Sequence, residues 1–327
     1  MLKYNKRKAK LTKLLRIVKL PYLPFILGIE PGNICNLSCP LCPTGQGDKE
    51  LRKGFMKFGL FKNVFDQFSS ALREIYLFNW GEPLLNNDLF KMISYAKARN
   101  KKARIIISTN LNINQKEKLT DLLEAGIDEI IVSCDGASQD TYAKYRVGGN
   151  FDLVIENMRY LINEKRRLAA KACVVWNFIV FKHNEHEVEQ ARQMASSIGV
   201  DFRIGLMRTS MKDEILKPHA ESIKQDINWI PDNPRYSAYD KEKLKTKKQI
   251  RSCRKLWQEI SINWDGKVFP CCAVYGEGRN FGDASKQPIK DIWNNDSFIK
   301  ARKEVLNRKY PVSTICGICR NNGFMHM

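Results

Sequence analysis

Between residues 26 and 206, short apolar runs alternate with helix-like stretches, and few architectures accommodate that alternation. The β-rich runs fall at residues 25–30, 74–78, 104–108, 129–133, 174–181 and 201–206. Helical spacing of apolar residues marks 89–100, 115–125, 151–165 and 187–198 between them. Strands joined through helices run parallel, because the chain must be carried back before the next strand can start. Six such units predict an α/β fold, an open and incomplete relative of the eight-fold barrel. Functional residues should then gather at the C-terminal ends of the strands.

The flanks of this partial barrel differ from it. The first nineteen residues carry eight Lys or Arg, and Leu11, Leu14, Leu15 and Val18 recur at helical spacing. Residues 1–25 therefore read as a basic amphipathic segment. Such a helix either docks on its own domain with a solvated basic face or lies on an anionic membrane surface. After the barrel, residues 26–209, comes a polar stretch with Pro218, Pro231 and Pro234 and a Lys-rich patch. This segment, 210–250, reads as a linker or a substrate cover, and residues 251–327 form a small Cys-bearing module.

Charge and cysteine usage narrow the setting. With 55 Lys+Arg against 35 Asp+Glu, the net charge of +20 attracts anions without choosing among them. The apolar run at 20–29 contains Pro21 and Pro24 and no cleavage-site pattern follows it, which argues against a secretory signal. No run reaches transmembrane length. The expected setting is the cytoplasm, with the inner face of the membrane as the surface the N-terminal helix would meet. There, ten cysteines point to metal or iron–sulfur ligation rather than disulfides.

The first cluster reads Cys35-Asn-Leu-Ser-Cys39-Pro-Leu-Cys42. Three thiolates within eight residues can wrap a 4Fe–4S cluster and leave its fourth iron open, although the spacing alone also permits a three-Cys zinc site. Placed just after a first strand, this x3-x2 spacing resembles the radical S-adenosylmethionine (SAM) superfamily. The resemblance implies that the open iron binds SAM, whose reductive cleavage yields a 5′-deoxyadenosyl radical that abstracts a hydrogen atom from a substrate. It also implies a partial (β/α)6 TIM-like barrel and a reducing partner such as flavodoxin or ferredoxin.

Further motifs follow in the family's order. Gly81-Glu82-Pro83 resembles the Gly-Gly-Glu segment whose backbone meets the SAM amino group, with Trp80 in place of the first Gly. Ser108 and Asn110 end the third run, and Ser133 and Asp135 end the fourth, where ribose and carboxylate contacts are implied. Arg146 lies where similar Asp-Gly-Ala segments place an Arg against the SAM carboxylate. The residue types suit these tasks: hydroxyls and a carboxylate for ribose, a guanidinium for a carboxylate.

The second group comprises Cys253, Cys271 and the terminal Cys316-Gly-Ile-Cys319. Asp265-Gly266 between two β-rich runs predicts a hairpin that delivers Cys271. Four thiolates suit zinc or a fully ligated 4Fe–4S cluster. The pattern, with 289–294 between the Cys groups, resembles the SPASM domain or its shorter Twitch form, which implies a small C-terminal Fe–S domain; the number of cysteines here implies one auxiliary 4Fe–4S cluster. Cys272 could replace Cys271, because neighbours on a strand face opposite ways. Cys134 and Cys173 read as core thiols. His183 and His186 read as surface-loop residues, and Lys182, Arg203 and Arg208 as strand-end cations.

These readings point to a radical SAM oxidoreductase-type enzyme acting by oxidation or epimerisation. Peptide-modifying members of the family often carry a peptide-recognition domain ahead of the first Cys, and the 34 residues before Cys35 are too few for one, so the resemblance implies a small-molecule substrate such as a sugar, an aminocyclitol or a lipid-linked glycan. A peptide-modifying maturase is the alternative. Two rivals of another class are a nucleic-acid-binding or -modifying protein, for which no RNA-binding module or stacking platform is found, and a non-catalytic zinc module.

Overall fold

The computed structural model describes residues 2–48, 51–68, 70–209, 216, 218–248, 253–276 and 278–323. The expected edges of the intervening segment, near 210 and 250, lie outside the described residues. Six strands follow in register and all run parallel: β1 (Ile26–Ile29), β2 (Glu74–Leu77), β3 (Arg104–Thr109), β4 (Glu129–Ser133), β5 (Cys173–Val180) and β6 (Asp201–Leu206). In β1 to β5 the apolar side chains are largely buried, as a parallel sheet covered on both faces requires, whereas the edge strand β6 is half-exposed, with Leu206 at 49%.

Eleven helices are present among the described residues. After α1 (Leu2–Leu14), six cover the barrel: α2 (Phe58–Asp66), α3 (Leu89–Arg99), α4 (Glu117–Glu124), α5 (Gln139–Tyr145), α6 (Phe151–Arg167) and α7 (Val188–Ile198). Local chemistry sets several ends. Ser138 caps α5, Asn150 caps α6, and Gly199, at φ +89°, closes α7 in the left-handed region.

The described part of the intervening segment packs on the barrel. It forms α8 (His219–Gln225) and a two-stranded ribbon of β7 (Tyr239–Asp240) and β8 (Lys245–Thr246). Ile223, Ile230 and Tyr239 are buried in one apolar cluster with Leu37, Cys39 and Leu41, so the segment roofs the first cysteine loop.

The C-terminal module joins the barrel through the sheet itself. Strand β9 (Glu259–Ile262) pairs in parallel with β1, and β10 (Lys267–Phe269) and β11 (Gly282–Asp283) extend it antiparallel. The expected hairpin forms between β9 and β10, with Gly266 at φ +87°. Three helices complete the module: α9 (Ile289–Trp293), α10 (Asp296–Leu306) and α11 (Ile315–Asn321).

The N-terminal segment is strapped to this module. Arg302 is fully buried and donates to the carbonyls of Val18, Leu256 and Trp293 at 2.8–2.9 Å. Trp257 and Trp293 donate their indole N–H groups to the carbonyls of Ile17 and Tyr22. Helix α1 ends at Leu14, and Arg16 turns the chain at φ +57°, so Val18 does not extend the leucine stripe. The stripe is not the docked face either: Ala9 and Thr12 pack inward, with Thr12 Oγ1 2.8 Å from the Tyr22 hydroxyl. No described helix is long and apolar enough to cross a membrane.

Candidate active site

The first cysteine loop leaves β1 and folds over the C-terminal ends of the strands. Cys39 is buried, and Cys35 and Cys42 are half-buried. A Cβ on Gly45 would lie 2.5 Å from Cys39 N and O, so only glycine lets the loop close on itself. Polar hydrogens converge on the sulfurs. Leu37 N lies 3.4 Å and Asn110 Nδ2 3.6 Å from Cys35 Sγ, and Arg146 Nη1 lies 3.8 Å from Cys39 Sγ. Burial pushes the Cys35 thiol up to about 11 and raises that of Cys39. Three thiols on one loop, two of them already approached by N–H donors, fit an iron–sulfur centre.

The strand-end motifs surround this loop. A Cβ on Gly81 would come 2.3 Å from Gly32 O, so the glycine permits close packing of the β2 end on the loop. Trp80, in place of another glycine, is buried and packs edge-on against Tyr275 of the C-terminal module, centroids 5.0 Å apart. The Glu82 carboxylate is engaged within the protein: it accepts from Thr109 Oγ1 and Asn110 N at 2.7 Å and from Leu84 N at 3.1 Å. It ties β2 to β3 and leaves contact with a cofactor to the backbone of 81–83. Pro83 opens a short 3-10 turn. Asn110 donates to Asn36 Oδ1 at 2.8 Å as well as to Cys35, and the hydroxyls of Ser108 and Ser133 face each other at 3.1 Å.

Asp135 and Arg146 form a buried pair. Arg146 Nε and Nη2 both lie 2.7 Å from Asp135 Oδ2, and Ile179 N donates to Oδ1 at 2.7 Å. Burial disfavours the guanidinium charge, yet Asp135 and Cys39 hold it well above its ordinary range. Asp135 is thus the anchor of Arg146, and its free edge is largely consumed. The turn after it is held by Glu187, which accepts from Ala137 N at 2.7 Å and Ser138 Oγ at 2.8 Å. Sequence reasoning missed Glu187 and Asn184 because their partners lie some 50 positions away in the chain.

The other four cysteines meet in the C-terminal module. Burial raises the Cys316 thiol well above its ordinary value, and Cys271, Cys253 and Cys319 add to it. Helix α11 puts Cys316 and Cys319 one turn apart on one face. Cys271 and Cys272 follow the end of β10, so strand alternation does not apply to them. Instead, Cys272 turns towards Lys255, whose Nζ lies 3.9 Å from its sulfur and 2.8 Å from both Glu259 oxygens. Cys271 sits with Cys319 and Ile315 in a small apolar cluster. These positions favour Cys271 as the thiol of the set, and four half-buried thiols that influence one another suit a fully ligated iron–sulfur cluster.

Three minor expectations need correction. Cys134 is buried core, but Cys173 is half-buried and donates to Asp201 Oδ2 at 3.0 Å. His183 is packed, not a solvated loop residue: it stacks on Phe181 at 5.5 Å and meets Trp229, and burial lowers it to about 4. Arg203 pairs with Glu129, the first residue of β4, at the end of the barrel away from the cysteine loop. Lys182 is exposed and pairs with Asp232.

Comparison with known proteins agrees with this geometry. The model of the radical SAM superfamily matches residues 29–195, and that of an iron–sulfur cluster-binding (SPASM) domain matches 253–320. An AdoMet-dependent heme synthase of Methanosarcina barkeri is 25% identical, over 87% of this chain and 85% of its own. The S-adenosyl-L-methionine-dependent 2-deoxy-scyllo-inosamine dehydrogenase of Niallia circulans is 24% identical, over 90% and 92%. Among solved structures, BtrN in complex with AdoMet and 2-DOIA superposes with a TM-score of 0.55 at 22% identity, covering 88% of each chain. Streptococcus suis SuiB gives 0.62 at 15%, covering 96% of this chain and 75% of its own. The radical SAM domain brings a 4Fe–4S cluster and SAM, and the SPASM domain brings auxiliary iron–sulfur binding. With the family pattern spanning the barrel and its cysteine loop, the chain belongs to the radical SAM superfamily, and it is an enzyme with a SPASM-type C-terminal domain.

Proposed function

We propose that this enzyme removes a hydrogen atom from a small polyhydroxylated molecule, such as a sugar, an aminocyclitol or a lipid-linked glycan. The substrate radical then either gives an electron to the auxiliary iron–sulfur cluster and a proton to solvent, which oxidises it, or regains a hydrogen atom on its other face from a hydrogen donor, which epimerises it. One observation carries the substrate class. The likeness to the 2-deoxy-scyllo-inosamine dehydrogenase runs nearly end to end, over 90% of this chain and 92% of that one. The mycofactocin maturase MftC of Mycolicibacterium smegmatis matches over only 63% of this chain and 52% of its own length.

In this reading Cys35, Cys39 and Cys42 hold the SAM-binding cluster, and Cys253, Cys271, Cys316 and Cys319 hold one auxiliary 4Fe–4S cluster. When bound, SAM and the first cluster supply the 5′-deoxyadenosyl radical that abstracts hydrogen. The protein's own residues bind and orient. Arg146, fixed by Asp135, offers its remaining N–H groups to the SAM carboxylate. Ser108 and Ser133 present paired hydroxyls to ribose, and the backbone of Gly81, Glu82 and Pro83 meets the amino group. Asn110 steadies Cys35, and the cover formed by 218–248 keeps water from the loop. A net charge of +20 suits an acidic one-electron carrier of the flavodoxin or ferredoxin type. Peripheral contact with a membrane belongs to the same proposal.

Anaerobically reconstituted protein, given SAM and a reductant, should form 5′-deoxyadenosine, and sugars or aminocyclitols should stimulate it and yield ketone or epimer. Stimulation by peptides alone would overturn the substrate class in favour of a maturase. Arg146→Lys keeps the charge but loses the planar fork, so 5′-deoxyadenosine formation should fall on the order of 10–100-fold, with KM for SAM raised and iron content unchanged. Loss of iron along with activity would instead make Arg146 a prop of the cysteine loop.

A further inference from the structure

Leu11 and Leu14 of helix α1, and Leu15 just beyond its end, lie on the outside. Leu11, Leu14 and Leu15 are 55%, 69% and 63% exposed, although a helix resting on its own protein normally turns such residues inward. Lys3, Arg7, Lys8 and Lys10 are exposed on the same helix. The first nineteen residues contain eight cations and no Asp or Glu. We infer that α1 docks the protein on an anionic bilayer, with the leucines at the acyl boundary and the cations among the headgroups.

Charge selects this occupant over a second copy of the chain. Two such faces brought together would oppose Lys3, Arg7, Lys8 and Lys10 of one copy to those of the other, with no Asp or Glu in the segment to offset them. An anionic lipid surface satisfies both the apolar stripe and the charge.

The fold also sets the orientation. Lys6 Nζ lies 3.8 Å from Glu74 Oε2, and Glu74 is the first residue of β2. Lys13 stands over the ring of Trp257, just before β9 begins. Helix α1 therefore crosses the N-terminal ends of the strands, opposite the end where the cysteine loop lies. A docked molecule turns that mouth to the aqueous phase and takes its substrate from solution, which selects a free sugar or aminocyclitol over a lipid-linked glycan. This last step rests on the mouth being the reaction site, as proposed above.

Point variants test the surface without loosening the strap at Ile17 and Val18. Wild-type protein should sediment with vesicles of phosphatidylcholine mixed with phosphatidylglycerol, less so as salt rises, and not with phosphatidylcholine alone. Combined Leu11→Ser, Leu14→Ser and Leu15→Ser should weaken sedimentation by at least about tenfold while leaving thermal unfolding unchanged. Combined Arg7→Gln and Lys10→Gln should weaken it on anionic vesicles. Equal sedimentation of wild type and the leucine variant overturns the proposal. So does a wild-type dimer in solution that the leucine variant abolishes, which would show a second copy on this face. Anionic vesicles should leave the rate of 5′-deoxyadenosine formation unchanged, and suppression by them overturns the orientation. A protein that sediments yet makes no 5′-deoxyadenosine even without vesicles would sink the catalytic reading and leave the docking surface standing.

Discussion

Protein in which Cys35, Cys39 and Cys42 are all replaced by Ala should form no 5′-deoxyadenosine and should retain about half the iron of the wild type, by the four-irons-per-cluster count of this cluster type. The fold should survive the change. The loop that carries these thiols is held by contacts that do not involve sulfur: Gly45 against the Cys39 backbone, the Thr44 hydroxyl on Trp80 O, and Ser38 N on Val147 O at 3.0 Å. Of the remaining four thiols, Cys271 and Cys319 lie in a different apolar cluster, around Phe269 and Val274, and Cys253 and Cys316 pack on the main core beside them. Their iron should therefore persist, with an iron–sulfur absorption spectrum that SAM leaves unchanged, because four thiolates leave no open iron. Formation of 5′-deoxyadenosine at the wild-type rate would refute the assignment of the loop. A triple variant holding zinc and no sulfide would make the C-terminal site a zinc knot.

The barrel was readable from sequence because each of its strands is a local apolar run. The expected and observed β4 and β6 have the same ends, and the other four differ by one or two residues. Helix α2 escaped notice because Gly59 and its aromatic and β-branched residues have modest helix propensity; Phe61, Val64 and Phe65 form its buried face only once β1 and β2 are in place. The cysteine ligand sets were visible because chemistry puts them in short motifs. What could not be seen locally is pairing across distance. The parallel pairing of β9 with β1 joins residues more than 230 positions apart and makes the small module part of the barrel's sheet. The roles of Glu82 and Asp135 were assigned from motif position to the cofactor, whereas Thr109, Ile179 and Arg146 occupy their carboxylates. The leucine stripe of α1 was visible as a period, but which face docks depended on Tyr22 and Trp257.

Glu304 shows the same kind of hidden dependence and carries the reciprocal prediction. Its buried carboxylate accepts from Ser313 N and Oγ at 2.8 Å and from Thr314 N at 3.1 Å and Thr314 Oγ1 at 2.5 Å. Thr314 is the N-cap of α11, so this one side chain sets where the helix bearing Cys316 and Cys319 begins. A Cβ on Gly317 would lie 2.2 Å from Glu304 Oε2, which explains a glycine inside the terminal Cys-x-x-Cys. Glu304→Ala leaves the Thr314 donors buried without an acceptor, while the exposed Ser313 can turn to water. At about 1.5–3 kcal/mol for each hydrogen bond to a charged group, the loss falls on the start of α11. The variant should lose about half its iron, the part held by Cys253, Cys271, Cys316 and Cys319, and keep a spectrum that responds to SAM through the Cys35 loop. Gly317→Ala should act in the same direction by pushing α11 off the carboxylate. Proteolysis should cut first after residue 307 in both variants and not in the wild type, since the α10–α11 connection is the part set free. If Glu304→Ala keeps its full iron complement and resists protease like the wild type, α11 is held by its own packing and the carboxylate is a bystander.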